Sequence, residues 1–304
     1  MTTFPTPRWE EAYSWLNVLW KSRDQRTFTL ENSLQALLTA FLCEWYGELH
    51  REPPLSMLIA EEIKSRDDHQ GTIVSELQDV DPLLVVLASA ICKGRGIQIK
   101  SVNNYLEALY ADLKGIVAET PLGNIPIRLY ILGHILEKLS LPEVLSGIPK
   151  DFLTMNSLPE IYRLDHEKIQ ELCDKIAIIT RYGEEPQRIE RDVVHLLHEV
   201  LPPIMFACFR EYNIDMGAHI LKTLNYLGVQ GRAWEEGVAF LVFQQRSTGA
   251  FGYLNPLAKE SAELYLDRDV RFFLPMTLVS LWTLGECTTQ KGALLNTPWL
   301  YKGE

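Results

Sequence analysis

The sequence has little that would fix a chain in a membrane or an oxidising compartment. No window approaches the roughly 20 apolar residues that span a bilayer. The start, MTTFPTPRWEEAYSWL, lacks the basic segment and small-residue cleavage site of a secretory signal. The five cysteines are scattered and form no CxxC pair, which is typical of reduced thiols rather than of disulfides or a zinc site. We therefore expect a cytoplasmic protein with no integral membrane segment.

Basic residues are also in short supply. The chain has 29 Lys and Arg against 40 Asp and Glu, which gives a formal net charge of −11. Binding to a nucleic-acid backbone needs clustered Lys and Arg. The composition therefore excludes nucleic acid as the main partner.

Strand-like alternation is scarce, whereas apolar residues recur at helical spacing along almost the whole chain. The Pro202–Pro203 pair predicts that one helix ends near Leu201 and that the next begins at Pro203. We expect a single all-α domain over 1–304, built of paired antiparallel helices. The predicted helices are 8–22, 30–48, 54–65, 81–93, 98–118, 124–139, 166–182, 190–201, 203–212, 215–228, 232–247 and 270–286.

One of these helices ends in an unusual turn, QQRSTGAFG at 244–252. A glutamine side chain can bond free backbone groups at a helix end, and glycine permits a tight turn. An aromatic ring can then pack on a neighbouring helix. The pattern predicts a structural corner in which Gln245, Gly249 and Phe251 fasten adjacent helical hairpins.

This corner resembles the QxxxGxW repeat of the squalene-cyclase and prenyltransferase superfamily, with Phe251 in place of the tryptophan. The resemblance covers roughly 160–286, whereas 1–150 carries no motif of the family. It implies an α/α toroid, either complete or truncated. The Trp-Glu-Glu sequence at 9–11 and again at 234–236 would fit a closed ring, in which the first and last parts of the chain are equivalent.

A second stretch, IYRLDHEKIQELCDKIAIITRYG, is similar to an uncharacterised bacterial branch of squalene-cyclase-like proteins. Tyr162, Leu164 and His166 match a tyrosine-x-leucine-threonine-histidine element of that branch, and Asp165 replaces the threonine. The resemblance implies a bacterial protein of secondary metabolism. It brings Tyr162, Asp165 and His166 forward as candidate catalytic residues.

This sequence lacks the residues that the best-known reactions of that superfamily require. There is no DxDD acid to protonate an alkene and no DDxxD run to hold magnesium on a diphosphate. No Cys and His run matches the zinc sets of protein prenyltransferases or lanthipeptide cyclases. No cofactor is therefore predicted.

Two groups of residues are candidates for acid–base work. Tyr162, Asp165 and His166 lie at a helix entrance, where the plain alternative is an N-cap followed by an exposed first turn. Asp215 and His219 are i,i+4 neighbours, and the alternative is a dipole-favouring aspartate with a half-buried histidine. The candidate substrate-binding residues are Thr223, Tyr226, Trp15 and Trp282.

A metal site is a further alternative. In HLLHE, His195 and His198 share a helix face, but the apolar stripe lies opposite, which favours a solvated face. A metal-dependent enzyme would draw its ligands from His166, His195, His198 and His219.

These features lead to two main functional hypotheses. The first is a biosynthetic enzyme whose apolar central cavity cyclises or rearranges an isoprenoid- or polyketide-like small molecule by acid–base chemistry. The second is a non-catalytic helical module of the same fold that binds a ligand or a protein. The basic turn KGRGIQIK at 93–100 makes an acidic carrier protein a candidate partner, although an exposed turn explains it as well.

Overall fold

The computed structural model describes residues 5–24, 28–70, 73–120, 125–138, 164–252, 270–289 and 291–297. These residues form twelve α-helices, two single turns of 3₁₀ helix and no strand beyond one isolated bridge between Gln245 and Phe251. The all-α prediction is confirmed. The helices are α1 (Trp9–Ser22), α2 (Leu30–Tyr46), α3 (Leu55–Gln70), α4 (Ile73–Leu77), α5 (Pro82–Gly94), α6 (Lys100–Glu119), α7 (Ile127–Lys138), α8 (His166–Ile179), α9 (Arg191–Arg210), α10 (Ile214–Tyr226), α11 (Arg232–Phe243) and α12 (Val270–Thr288).

Several helices begin after a residue whose side chain accepts a hydrogen bond from a free backbone N–H group of the first turn. Thr29 and Asn32 form a reciprocal capping box at the start of α2. Asp81 accepts from the N–H of Leu83 at 2.9 Å, with Pro82 in the first turn of α5. Local sequence therefore fixes where these helices start.

The predicted break at Pro202 and Pro203 is wrong, because α9 runs through both prolines. Each proline lacks the N–H that would bond a carbonyl one turn earlier, at His198 and Glu199. Both of those residues are exposed, so water can bond the carbonyls. The opposite face, which includes Leu197, Val200, Leu201, Met205, Cys208 and Phe209, is buried and holds the helix together.

Two helices make the largest share of the contacts between elements. Helix α2 packs against α1, α3, α4, α5 and α12, and nearly all of its side chains are buried. Helix α10 packs against α8, α9, α11 and α12. Helix α7 contacts α5, α6 and α8. The first helical hairpin of the chain is thereby joined directly to the last described helix.

The corner after α11 also joins the two ends of the chain. Gln245 Oε1 accepts from the backbone N–H of Arg8 at 2.6 Å, and its Nε2 donates to the carbonyls of Arg8 and Gly249 at 2.9 and 3.1 Å. Phe251 is fully buried, and its N–H donates to Thr277 Oγ1 on α12 at 2.9 Å. The corner therefore contacts both α1 and α12.

Among the described helices, α9 is long and apolar enough to cross a membrane, by length and composition. Its buried face packs against α10 and α11. Core helices of water-exposed proteins pass the same test, so this finding is weak support for a membrane span.

Candidate functional site

His219 pairs with a carboxylate on the neighbouring helix α8. Its Nε2 lies 3.0 Å from Asp174 Oδ1. The two side chains are 24% and 16% exposed, so the pair lies at the edge of the buried space. A carboxylate that fixes one ring nitrogen sets the tautomer and the ring orientation. With Nε2–H donating to Asp174, Nδ1 is left to take up or return a proton.

Asp215, the carboxylate that the sequence put beside His219, lies in the first turn of α10 and is exposed. A carboxylate there interacts favourably with the positive end of the helix dipole. The structure therefore assigns the role of orienting His219 to Asp174.

One turn beyond His219, a lysine lies against an aromatic ring of α12. Lys222 Nζ is 4.3 Å from the centre of the Trp282 ring, which is a cation–π distance. Both side chains are partly buried. The ammonium brings positive charge to the same stretch of α10 that carries the histidine. It also occupies one face of the tryptophan.

Next to this pair, Glu286 forms the centre of a buried polar cluster. The residue is 4% exposed. Its carboxylate accepts from Tyr226 Oη at 2.5 Å, from Trp282 Nε1 at 2.6 Å and from the backbone N–H of Leu294 at 2.8 Å. Buried charge is tolerated when it is hydrogen-bonded in this way. We call Lys222, Tyr226, Trp282 and Glu286 the α10–α12 cluster.

The tyrosines of this region are strongly protected from ionisation. Burial, followed by the charge of Glu286, raises the pKa of Tyr226 well above its ordinary value. The same two causes raise the pKa of Tyr46, whose hydroxyl donates to the carbonyl of Gly292 at 3.0 Å. Both phenols therefore stay neutral and act as hydrogen-bond donors.

A short stretch of strained backbone adjoins the cluster. Arg181 and Tyr182, which follow α8, have φ of 48° and 54°, and Gly183 has φ of 87°. Left-handed backbone at consecutive non-glycine residues is uncommon and costs energy. It places the Tyr182 ring edge-on to Tyr226, with ring centres 6.1 Å apart. The strain thus helps to position the aromatic side of the cluster.

Asp165 and His166 lie elsewhere, at the start of α8. Asp165 caps the helix by accepting from the N–H of Lys168 at 2.9 Å, which confirms the simpler interpretation of that residue. His166 is exposed. Both border a cleft of about 560 Å³ whose walls include Ile204 and Cys208 of α9. Tyr162 lies outside the described residues.

The remaining candidate contacts are structural. Thr223 is 1% exposed, and its hydroxyl donates to the carbonyl of His219 at 2.9 Å. Trp15 is buried in α1, which packs on α2. Arg95, from the basic turn, forms an ion pair with Glu44 at 2.8 Å. Each of these contacts joins parts of the protein to one another.

The histidines proposed as metal ligands are distributed over three places. His195 and His198 border one cleft, His166 borders another, and His219 pairs with Asp174. Within the described ranges, no group of three or more His, Cys, Asp or Glu side chains is placed to hold a metal ion. All five cysteines are buried, and burial raises the pKa of Cys173 to about 12.

Sequence reasoning missed the three residues that organise the site: Asp174, Lys222 and Glu286. Asp174 and Lys222 stand beside apolar residues at ordinary polar positions of amphipathic helices. Glu286 falls near the end of an apolar helix, where it looked like a terminal residue. The available signal was that α12 carries few charges, since a carboxylate in a nearly uncharged helix needs buried partners.

No protein-family model, curated protein or solved structure matches this chain. The resemblance to squalene-cyclase-like proteins therefore remains a prediction. The functional argument depends on the geometry of the residues themselves.

Proposed function

We propose that six helices of this protein close into a ring, as in an α/α toroid, and that the ring encloses an active site. The proposal is supported by the order of contacts: α2 packs on α5, α5 on α7, α7 on α8, α8 on α10, α10 on α12, and α12 on α2 again. The remaining helices, including α1, α6, α9 and α11, would form an outer layer. The corner contact between Gln245 and Arg8 would close that layer.

The reaction is an acid–base isomerisation or cyclisation of a small molecule, with His219 as the proton-transfer group. The observation that carries this assignment is the Asp174–His219 pair, 3.0 Å apart and partly exposed, on two neighbouring helices of the ring. Asp174 holds the imidazole of His219 in place through its Nε2 atom. Nδ1 then removes a proton from the substrate and returns it at another position, so the reaction needs no oxidant or cofactor.

Lys222 favours one of the two substrate classes that the sequence left open. A positive charge one turn from the base stabilises an enolate oxygen that develops when a proton is lost beside a carbonyl. The same charge opposes a carbocation, and the ammonium already covers one face of Trp282. The substrate is therefore a carbonyl-bearing, polyketide-like molecule rather than an isoprenoid cation precursor.

Proton exchange tests this function without knowledge of the natural substrate. The purified protein would be incubated in D₂O with a panel of linear and cyclic β-dicarbonyl compounds, and deuterium uptake at the central carbon would be followed by mass spectrometry. We expect accelerated exchange for some members of the panel. His219→Asn should lower that rate at least about 100-fold, since general bases typically contribute 10² to 10⁴.

Asp174→Asn should lower the rate at least about tenfold, because an amide neither fixes the same tautomer nor stabilises the charged imidazole. The matched control is His195→Asn, at an exposed histidine on α9. Unchanged exchange in His219→Asn, or no acceleration with any compound of the panel, would refute the proposal.

A non-catalytic binding role is the second candidate. It is favoured by the α10–α12 cluster, in which the hydroxyl of Tyr226 and the indole N–H of Trp282 both donate to Glu286 and not to an open space. Polar groups that are hydrogen-bonded to one another in this way are suited to holding a ligand without reacting with it. Binding of panel members without exchange would select this function.

A further inference from the structure

A second cleft has a lining that does not include the Asp174–His219 pair. It has a volume of about 540 Å³ and is bounded by the loop before α9, the first turns of α9, and the loop between α10 and α11. Ligand sites commonly measure 300 to 1,000 Å³. The cleft is therefore large enough for a small organic molecule.

The walls of this cleft have a charge opposite to that of the protein as a whole. Arg191, His195 and His198 contribute cationic or proton-binding side chains, and Gln187 and Gln230 contribute amides. None of the described residues that border the cleft is acidic, although acidic residues outnumber basic ones in the chain by 40 to 29. Such a local reversal of charge attracts an anion.

His195 pairs with Glu199, whose carboxylate lies 3.7 Å from its Nε2. Glu199 lies outside the cleft lining, and both side chains are largely exposed. An exposed ion pair of this length contributes little. Arg191 carries a permanent positive charge in the cleft lining, and His198 supplies an imidazole that can hydrogen-bond an anion.

The floor of the cleft is apolar. Ile189 and Leu227 are 6% and 5% exposed, and Val194 and Val229 lie beside them, packed against the core. A site with an apolar floor and a few polar groups at its edge is typical of small-molecule binding. A bare inorganic ion would leave this floor uncovered.

We propose that the cleft binds a small organic anion, whose apolar body lies on Ile189 and Leu227 and whose carboxylate or phosphate contacts Arg191 and His198. This site shares no residue with the Asp174–His219 pair. Binding at this site can therefore be tested independently of the proposed reaction.

Ligand-detected NMR tests the site with defined probes. Phenyl phosphate and benzoate supply an anion on an apolar ring, while phenol and inorganic phosphate each supply only one of the two features. We expect saturable binding of at least one aromatic anion, and at least about fivefold weaker binding of phenol and of inorganic phosphate. Equal binding of either single-feature probe would overturn the proposal.

Substitutions on α9 locate the binding. Arg191→Gln and His198→Gln should each lower the affinity for the probe about fivefold or more, because the anion loses the guanidinium in the first variant and an imidazole hydrogen bond in the second. Both residues are exposed, so the variants should fold normally. Arg210→Gln, at the other end of the same helix, is the matched control and should leave binding unchanged. Equal affinities in all variants would overturn the assignment.

A filling substitution gives a test that leaves the charges in place. Gly231 has an extended backbone with φ of −141°, and an added Cβ would have His198 Nε2 as its nearest neighbour, at 4.0 Å. Gly231→Phe would therefore project into the cleft without straining the fold. We expect at least a tenfold loss of probe binding at an unchanged melting temperature. Retained binding would contradict the location.

Discussion

Tyr226 is a residue whose ionisation should visibly affect stability. Its folded pKa lies above the ordinary tyrosine value of about 10, because of burial and the charge of Glu286. Its contribution is fully present below the unfolded pKa of about 10 and is lost as the pH rises through the folded pKa. The free energy of unfolding should therefore fall above pH 10 by up to about 1.4 kcal/mol per pH unit for this residue.

Tyr226→Phe separates this effect from that of the other tyrosines. At pH 8 the variant should lose about 1 to 3 kcal/mol, since Glu286 loses a donor. Above pH 10 its stability should fall less steeply than that of the wild type. Urea unfolding at a series of pH values measures both quantities, with Tyr110→Phe on α6 as the control. Parallel pH profiles for the wild type and Tyr226→Phe would contradict the account.

At the scale of single residues, the sequence predicted individual side chains of the site better than the side chains with which they bond. Asp165 was a candidate catalytic residue with an N-cap as the alternative, and the N-cap could be foreseen because the cap and the helix it starts are adjacent in sequence. His219 and Tyr226 were singled out, but their partners Asp174 and Glu286 lie 45 and 60 residues away from them in sequence. Such pairings depend on how helices pack, which a single sequence does not specify.

Among the elements, the corner after α11 combines a tight turn with close backbone packing. Gly249 has φ of 101°, and an added Cβ would lie 2.2 Å from the backbone of Glu11 on α1. No side chain fits there unless α1 moves away from the corner. Glycine at this position therefore lets the corner after α11 pack directly against the backbone of α1.

Gly249→Ala should lower the free energy of unfolding by at least about 3 kcal/mol, through backbone overlap and left-handed strain. The control is Gly96→Ala, which also has positive φ, at 71°, but has no atom within 4 Å of the added Cβ. It should cost only about 1 kcal/mol. Chemical denaturation compares the two, and equal losses would mean that the contact with α1 contributes nothing.

Helix α9 shows where element-level prediction fails. Local chemistry says that two prolines end a helix, yet Pro202 and Pro203 lie inside one. The buried face on both sides of the prolines packs against α10, and this packing outweighs two missing backbone bonds. The corner was predictable because its residues are contiguous, whereas the continuity of α9 depends on a neighbouring helix.

For the whole molecule, helical periodicity was sufficient to predict the all-α class but not the arrangement of the helices. The contact of α12 with α2 joins segments more than 200 residues apart in sequence. No residue pattern in either helix predicts that the two pack together. The proposed ring matters for function because it would bring α8, α10 and α12 together around one space. His219, Asp174, Lys222 and Trp282 all lie on these three helices.

The most direct measurement is a crystal structure of the protein with a compound that it deuterates, or with the tightest-binding member of the panel. The account predicts electron density for the compound between α8, α10 and α12, with its exchanging carbon or carbonyl oxygen within contact distance of His219 Nδ1 and Lys222. Density confined to the cleft at His166, or to the cleft at Arg191 and His198, would contradict the claim that His219 is the centre of the active site.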